Sequence, residues 1–194
     1  MKTKIKKLAV VAVILLCLAV GVQGTLAVFT ATDTATNVIT TGNIKIKLHE
    51  QRLNDQQKPE PFKDVIGVVP GDEVSKIVTV ENTGNNPAWV RISIGVTINL
   101  AEGVEGEADK TLVSFDIGDD WTELDGYYYY TKALGAGETT TPLFEHVIFS
   151  DSMSNMYQKS TTSVGIMVHG VQTAHNGTTV WEADGWPTLG LSAE

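Results

Sequence analysis

The sequence predicts an all-β fold, an antiparallel β-sandwich of the jelly-roll type with at most one or two short helices. Apolar residues recur with a period of two, turn-forming clusters separate the apolar stretches, and no helical pattern alternates with them. The clearest stretch runs from Ala88 to Leu100, where seven apolar residues occupy every second position. A helix would scatter these residues around its axis, whereas a strand places them on one face over a core.

Weaker alternations predict the remaining strands in chain order. They lie at residues 44–48, 74–81, 127–130, 143–149 and 164–168. Glycine, proline and asparagine separate them, as in Pro70-Gly71-Asp72 and Asp125-Gly126. The polar stretches Gln51–Phe62 and Glu102–Lys110 are expected to be exposed loops. A short helix is expected only within Ser150–Lys159.

The N-terminus has the pattern of a secretory signal peptide. Four lysines, at positions 2, 4, 6 and 7, precede an apolar run of 13 residues from Leu8 to Val20, and small residues follow. The run is shorter than the about 20 residues that span a bilayer. The sequence therefore predicts a signal peptide at residues 1–27, with cleavage between Ala27 and Val28; an uncleaved N-terminal anchor is the alternative interpretation. Membrane contact is expected only through this segment before cleavage.

The charge and the cysteine count restrict the partners and the chemistry. After cleavage the chain would carry 10 basic and 23 acidic residues, a formal charge of −13. Such a protein repels phosphate backbones, so nucleic acid is not an expected partner. Its one cysteine, Cys17, lies in the signal peptide. The domain at residues 42–194 would therefore be stabilised without a disulfide.

Residues 28–41 form a segment with unusual composition. The segment contains six threonines and one charged residue, and it lacks proline and glycine. Such β-branched, nearly uncharged stretches favour pairing in a sheet. Two interpretations are open: an ordinary first strand of its own domain, or a donor strand lent to a neighbouring subunit. The candidate donor residues are Val28, Phe29, Ala31, Thr32, Thr34, Val38 and Ile39.

No set of residues predicts a catalytic centre, a metal site or a cofactor. His49-Glu50 begins like a zinc-protease motif, but position 53 is leucine and the pair falls on a strand rather than a helix. Asp119 and Asp120 could make a weak calcium contact, although a solvated acidic turn is the simpler interpretation. The protein is therefore not predicted to be an enzyme.

Aromatic residues are concentrated in the second half of the chain. They are Trp121, Tyr127 to Tyr130, Trp181 and Trp186. An exposed cluster of this kind could bind a glycan or a protein. Packing across strands and under loops is the alternative, and it explains the same pattern without a ligand.

Three blocks of sequence carry a resemblance to a known group. They are Gly24–Leu48, with Thr25-Leu26-Ala27-Val28-Phe29 at its start; Val69–Gly84, which begins Val-Pro-Gly-Asp; and Gly137–Phe144. Together they resemble SipW-dependent exported proteins, the TasA and camelysin (CalY) group of Gram-positive bacteria.

The resemblance implies a jelly-roll-like sandwich, processing by a signal peptidase of the SipW type, and a place in the biofilm matrix or on the cell surface. TasA-like members form fibres from their own or related subunits by donating the N-terminal strand. Carried over, the donor is the segment at residues 28–41, with Phe29 as its plug. Camelysin-like members imply an alternative, a cell-surface metallopeptidase. A glycan- or protein-binding surface module is a third possibility.

Overall fold

A computed structural model describes residues 29–33, 37–40 and 44–187. It confirms the all-β sandwich class, with 46% of residues in strands and 6% helical. Helical structure in this part of the chain consists of three single turns of 3₁₀-helix, Lys110–Leu112, Asn155–Tyr157 and Val180–Glu182. The second falls where a short helix was predicted. Across the described ranges, no helix has the length and apolarity needed to cross a membrane.

The described residues form thirteen strands. They are β1 (Phe29–Asp33), β2 (Asn37–Thr40), β3 (Ile46–Leu53), β4 (Pro59–Pro61), β5 (Val65–Val68), β6 (Glu73–Ser75), β7 (Ile77–Asn82), β8 (Ala88–Asn99), β9 (Val113–Phe115), β10 (Trp121–Leu124), β11 (Tyr127–Tyr130), β12 (His146–Phe149) and β13 (Thr161–Gln172).

The largest sheet has the order β10-β11-β8-β13-β1-β5, and β2 also pairs with β13. Its centre is the antiparallel pair β8 and β13, which stay in register from Ala88↔Gln172 to Asn99↔Thr161. The predicted turn at Asp125 and Gly126 joins β10 to β11, and both residues have positive φ, 52° and 77°. Two successive positive φ values match the twist of a tight hairpin, which explains the Asp-Gly pair.

The second layer contains two three-stranded sheets, β6-β12-β9 and β4-β3-β7. Backbone hydrogen bonds between β7 and residues 140–144 connect them. Apolar side chains from all three sheets pack in one cluster, including Val90, Ile92, Ile166 and Val168 of the large sheet and Val78, Val80, Val147 and Phe149 opposite. This shared interior is what makes the fold a sandwich.

Lys76 marks the corner where the chain passes between the two smaller sheets. It lies between β6 and β7 and is only 2% exposed. Its Nζ lies 2.6 Å from Glu50 Oε1 of β3 and 3.9 Å from the ring centre of Phe62. A buried ammonium is tolerated because a carboxylate and an aromatic face replace its lost water.

Three expectations differ from the structure. A short helix was expected only within Ser150–Lys159, but single 3₁₀ turns also occur at Lys110–Leu112 and Val180–Glu182. Gln51–Phe62 is not a loop throughout, because β3 continues to Leu53 and pairs with β4. Its prolines suggested a loop, but proline is compatible with an edge strand, and β4 is an edge. The large sheet is mixed rather than purely antiparallel, because β1 and β2 run parallel to β13. Glu102–Lys110 lies outside the strands, as predicted.

Candidate functional site

The N-terminal strand β1 lies inside the large sheet rather than at its edge. On one side it pairs in parallel with β13, from Thr30↔Thr161 to Asp33↔Val164. On the other side it pairs antiparallel with β5, including Ala31↔Val65. β1 therefore fills a slot between two strands that belong to the body of the domain. We call this space the β13–β5 slot.

The strand β2 extends the same coverage along β13. Its pairs run from Asn37↔Met167 to Thr40↔Gly170. The opposite edge of β13 is occupied by β8 over its whole length. The available edge of β13 is thus paired, among the described residues, with the N-terminal strands β1 and β2. The partner numbers differ by 131 along β1 and by 130 along β2, so the register shifts by one residue between them.

The structure places five of the seven candidate donor residues in these strands. Phe29, Ala31 and Thr32 lie in β1, and Val38 and Ile39 lie in β2. The side chain of Val38 is 39% exposed and that of Ile39 is half-buried. Val28 and Thr34 lie outside the described residues, as do the signal peptide and Ala27 of its cleavage site.

Beyond the slot, β5 forms one end of the sheet. Gly67 has φ +90°, and the register shifts between Phe29 and Thr30 opposite it. Such an irregularity twists an edge strand and interrupts its pairing. Ile66, in the same strand, is 79% exposed. The slot is therefore bounded by a regular strand on one side and a short, irregular strand on the other.

A second feature is a cluster of side chains around Arg91, on the face of the large sheet that points away from the main core. The Arg91 guanidinium is 3.9 Å from the ring centre of Tyr127 and 4.7 Å from that of Trp186. Its Nη1 donates to the Tyr129 hydroxyl at 3.1 Å, and its Nη2 to the Pro187 carbonyl at 3.2 Å. Arg91 lies on the face of β8 opposite the alternating apolar residues, yet it is buried.

Residues 180–187 cover this face, and we call them the C-terminal strap. Val180 and Ala183 are buried against Trp89 and Val171. The loop before the strap is fixed by Asn176, whose carbonyl accepts from Trp89 Nε1 at 3.1 Å and whose side chain bonds the backbone of Asp184. The strap has no apolar alternation, so the second buried face was missing from the prediction.

His169 lies at the base of this cluster. It is fully buried, and its Nδ1 receives a hydrogen bond from Arg91 Nε at 3.2 Å. Burial, followed by the neighbouring Arg91 charge, lowers the pKa of His169 to about 4. The imidazole is therefore neutral at pH 7, with its proton on Nε2. That buried nitrogen has no hydrogen-bond partner in the described part of the chain.

Most predicted platform aromatics serve packing. Trp121, Tyr129 and Tyr130 are buried, and Trp121 Nε1 donates to the Thr141 carbonyl at 3.2 Å. Trp181 is the largely exposed member at 47%, and it packs against Tyr129 with ring centres 5.2 Å apart. The alternative interpretation of aromatic packing therefore describes this region, and the rings do not form a continuous exposed platform.

The acidic turn at Asp119 and Asp120 lines a cleft of about 410 Å³ together with Thr141 and Phe144. Asp120 pairs with Lys132 Nζ at 2.8 Å, and this hydrogen bond lowers the pKa of Asp120. Asp116 contacts His146 Nδ1 at 2.7 Å. Burial alone would raise the pKa of Asp116, but hydrogen bonds from the ring and backbone of His146 and from the backbone of Glu145 lower it overall.

Two sequence features with possible metal chemistry have ordinary partners in the structure. His49 Nε2 lies 2.7 Å from Glu81 Oε2 on the neighbouring strand, and Glu50 lies beside Lys76. Within residues 29–33, 37–40 and 44–187, no three His, Cys, Asp or Glu side chains are grouped to hold a metal ion.

The fold and the slot define the class of the molecule, an all-β sandwich whose first strand is held between two other strands. Comparison with known proteins found no matching family, no matching curated protein and no matching solved structure. The resemblance noted from the sequence blocks therefore enters below as part of a proposal.

Proposed function

We propose that the protein is an exported structural subunit of the biofilm matrix or cell surface that assembles into fibres by exchanging its N-terminal strand. The observation that supports this best is the position of β1 between β13 and β5. A strand in such a slot gains hydrogen bonds on both of its edges. A second copy of the chain can supply the same strand without any new contact.

The position of the segment in the chain supports exchange. β1 and β2 precede the rest of the domain, and Thr41-Gly42-Asn43 follows them in the sequence. A terminal segment can leave its slot without unthreading the rest of the chain, and glycine permits many backbone conformations. Under this proposal, subunits that exchange β1 and β2 in one direction form an open chain rather than a closed dimer.

Export by a SipW-type signal peptidase completes the proposal. The signal-like pattern at residues 1–27, with Val28 as the first residue after cleavage, would place the candidate donor segment at the new N-terminus. The partners are then other copies of this chain or related matrix subunits. No observation on the described residues favours a camelysin-type metallopeptidase or a glycan-binding module over this function.

Electron microscopy of the chain beginning at Val28 tests the proposal. We expect regular filaments from this chain and none from a variant that begins at Gly42. A full-length variant with Thr32→Pro is the matched control and is also expected to form no filaments, because proline removes a backbone N–H from β1 where Thr32 pairs with Ser163 of β13. Filaments from the variant beginning at Gly42 would contradict strand exchange.

A further inference from the structure

The C-terminal strap is attached to the sheet through Arg91. The guanidinium donates to the Pro187 carbonyl at 3.2 Å and stacks on Trp186 at 4.7 Å. The strap contains one turn of 3₁₀-helix and makes no strand pairing. Segments with so few backbone bonds open at low free-energy cost relative to the core. Arg91 therefore holds the end of the strap, beside the buried side chains of Val180 and Ala183 and the bonds between Asn176 and Asp184.

Arg91 is in turn positioned by His169. The bond from Arg91 Nε requires an unprotonated Nδ1 on the imidazole. Protonation would put an N–H on that nitrogen, 3.2 Å from the Arg91 Nε–H, and would bring a second cation beside a buried guanidinium. Two donors cannot bond each other, and buried like charges repel.

No neighbouring acid compensates for this second charge in the described structure. The His169 ring bonds Arg91 of β8, and its centre lies 5.6 Å from the ring centre of Tyr127 on β11. Its register partner on β2 is Ile39. Tyr129 adds a phenol on Arg91. Among the described residues, no carboxylate lies within ion-pair distance of Arg91. Of the acidic residues of the strap, Glu182 accepts from Thr178 through its carboxylate, and Asp184 bonds Asn176 through its backbone.

We propose that the strap is an acid-released lid: protonation of His169 breaks its hydrogen bond with Arg91 and frees residues 180–187 from the aromatic face of the sheet. The released face would present Trp89, Tyr129 and Val171, which the strap covers at neutral pH. Opening would therefore convert a closed surface into an apolar one, suited to binding other apolar surfaces.

Linkage sets the pH range of this change. Under this proposal, opening of the strap returns the pKa of His169 from about 4, its value in the closed structure, to the ordinary value of 6.5. The stabilisation of the closed state by neutral His169 is therefore complete above pH 6.5. It decreases as the pH falls and is fully lost below pH 4. The ratio of open to closed molecules would rise by up to about 300-fold across that range.

The four tryptophans report on the strap directly when labelled with 5-fluorotryptophan. In the chain beginning at Val28, we expect the ¹⁹F signals of Trp181 and Trp186 to move toward solvent-exposed shifts between pH 6.5 and pH 4. Trp121, which is buried in the main core, is expected to keep its shift. Movement of all the signals in one transition would be unfolding, and it would overturn the proposal. No movement of Trp186 at pH 4 would overturn it equally.

Variants separate His169 from other acid-sensitive groups. In His169→Asn, the amide oxygen can accept from Arg91 but does not titrate, so the strap should remain closed at pH 4. His146→Asn removes a more exposed histidine and Glu182→Gln a strap carboxylate; both should keep the wild-type transition. A wild-type transition in His169→Asn would contradict the proposal. If that variant does not fold, the His169 ring ¹⁵N titration in the wild type must share the midpoint of Trp186, and a different midpoint contradicts the proposal.

Discussion

A chain that begins at Gly42 is expected to lose at least about 4 kcal/mol of its free energy of unfolding. Without β1 and β2, eight residues of β13 and three of β5 lose their ladder partners. Each backbone hydrogen bond contributes a net ~1 kcal/mol, and the exposed strand edges also promote aggregation. Urea denaturation followed by circular dichroism measures the loss.

The same truncated chain should bind its missing segment as a peptide. A peptide of residues 28–41 is expected to restore most of the lost stability, because it can occupy the β13–β5 slot as β1 and β2 do. A peptide with Thr32→Pro has nearly the same composition and is expected to restore little of it. Equal stabilisation by both peptides, or unchanged stability after truncation, would contradict the description of the slot.

Replacing Glu50 with alanine is expected to destabilise the protein by about 3–5 kcal/mol. Lys76 is 2% exposed, and its Nζ lies 2.6 Å from Glu50 Oε1. Without the carboxylate, a buried ammonium loses its counter-charge at the corner between the two smaller sheets. Thermal or urea denaturation of Glu50→Ala at pH 7 measures the effect.

Two controls test whether the loss comes from burial. Glu60→Ala breaks a comparable contact, Arg52 Nε to Glu60 Oε1 at 2.8 Å, but both side chains are about one third exposed. That variant should cost much less than Glu50→Ala, because solvent screens the exposed pair. The double variant Glu50→Leu, Lys76→Met should be more stable than Glu50→Ala, because no unpaired charge remains. Equal losses in Glu50→Ala and Glu60→Ala would show that burial is not the cause.

Much of the sheet framework could be predicted because its signals are local. Alternation over Ala88–Leu100 became β8, and Val164–Val168 became the middle of β13. Asp125-Gly126 became the turn between β10 and β11 because its two positive φ values require such residues. In each case, one buried face or one turn geometry determines the pattern.

Other features depend on distant parts of the chain and left no local pattern. The burial of Arg91 and Trp89 has no local signal, because the strap that covers them comes about 90 positions later and lacks periodicity. The sequence around His169 likewise contains no signal for its contact with Arg91. The burial of Lys76 could not be predicted either, since its partners Glu50 and Phe62 are brought to it by the corner between β6 and β7.

The N-terminal segment combines a feature with a local sequence signal and a feature that depends on distant residues. Its composition predicted a strand, and β1 and β2 confirm that much. The segment itself contains no signal for its partner strand or for the direction of pairing. Its parallel pairing with β13 could therefore not be predicted. Strand exchange would preserve these contacts and change only which chain contributes them. A decisive experiment must therefore show whether β1 in the slot comes from the same chain or from another copy.

Cross-linking of two single-cysteine chains makes that identification. Ala31 and Thr162 are register partners, and a chain beginning at Val28 contains no other cysteine. Ala31→Cys and Thr162→Cys chains, mixed under assembly conditions and then oxidised, are expected to form a covalent heterodimer. Ala31→Cys mixed with Met167→Cys, five residues further along β13, should not. Strand exchange predicts the first heterodimer; its absence, with efficient internal cross-linking in the double variant, would show that each chain keeps its own strand.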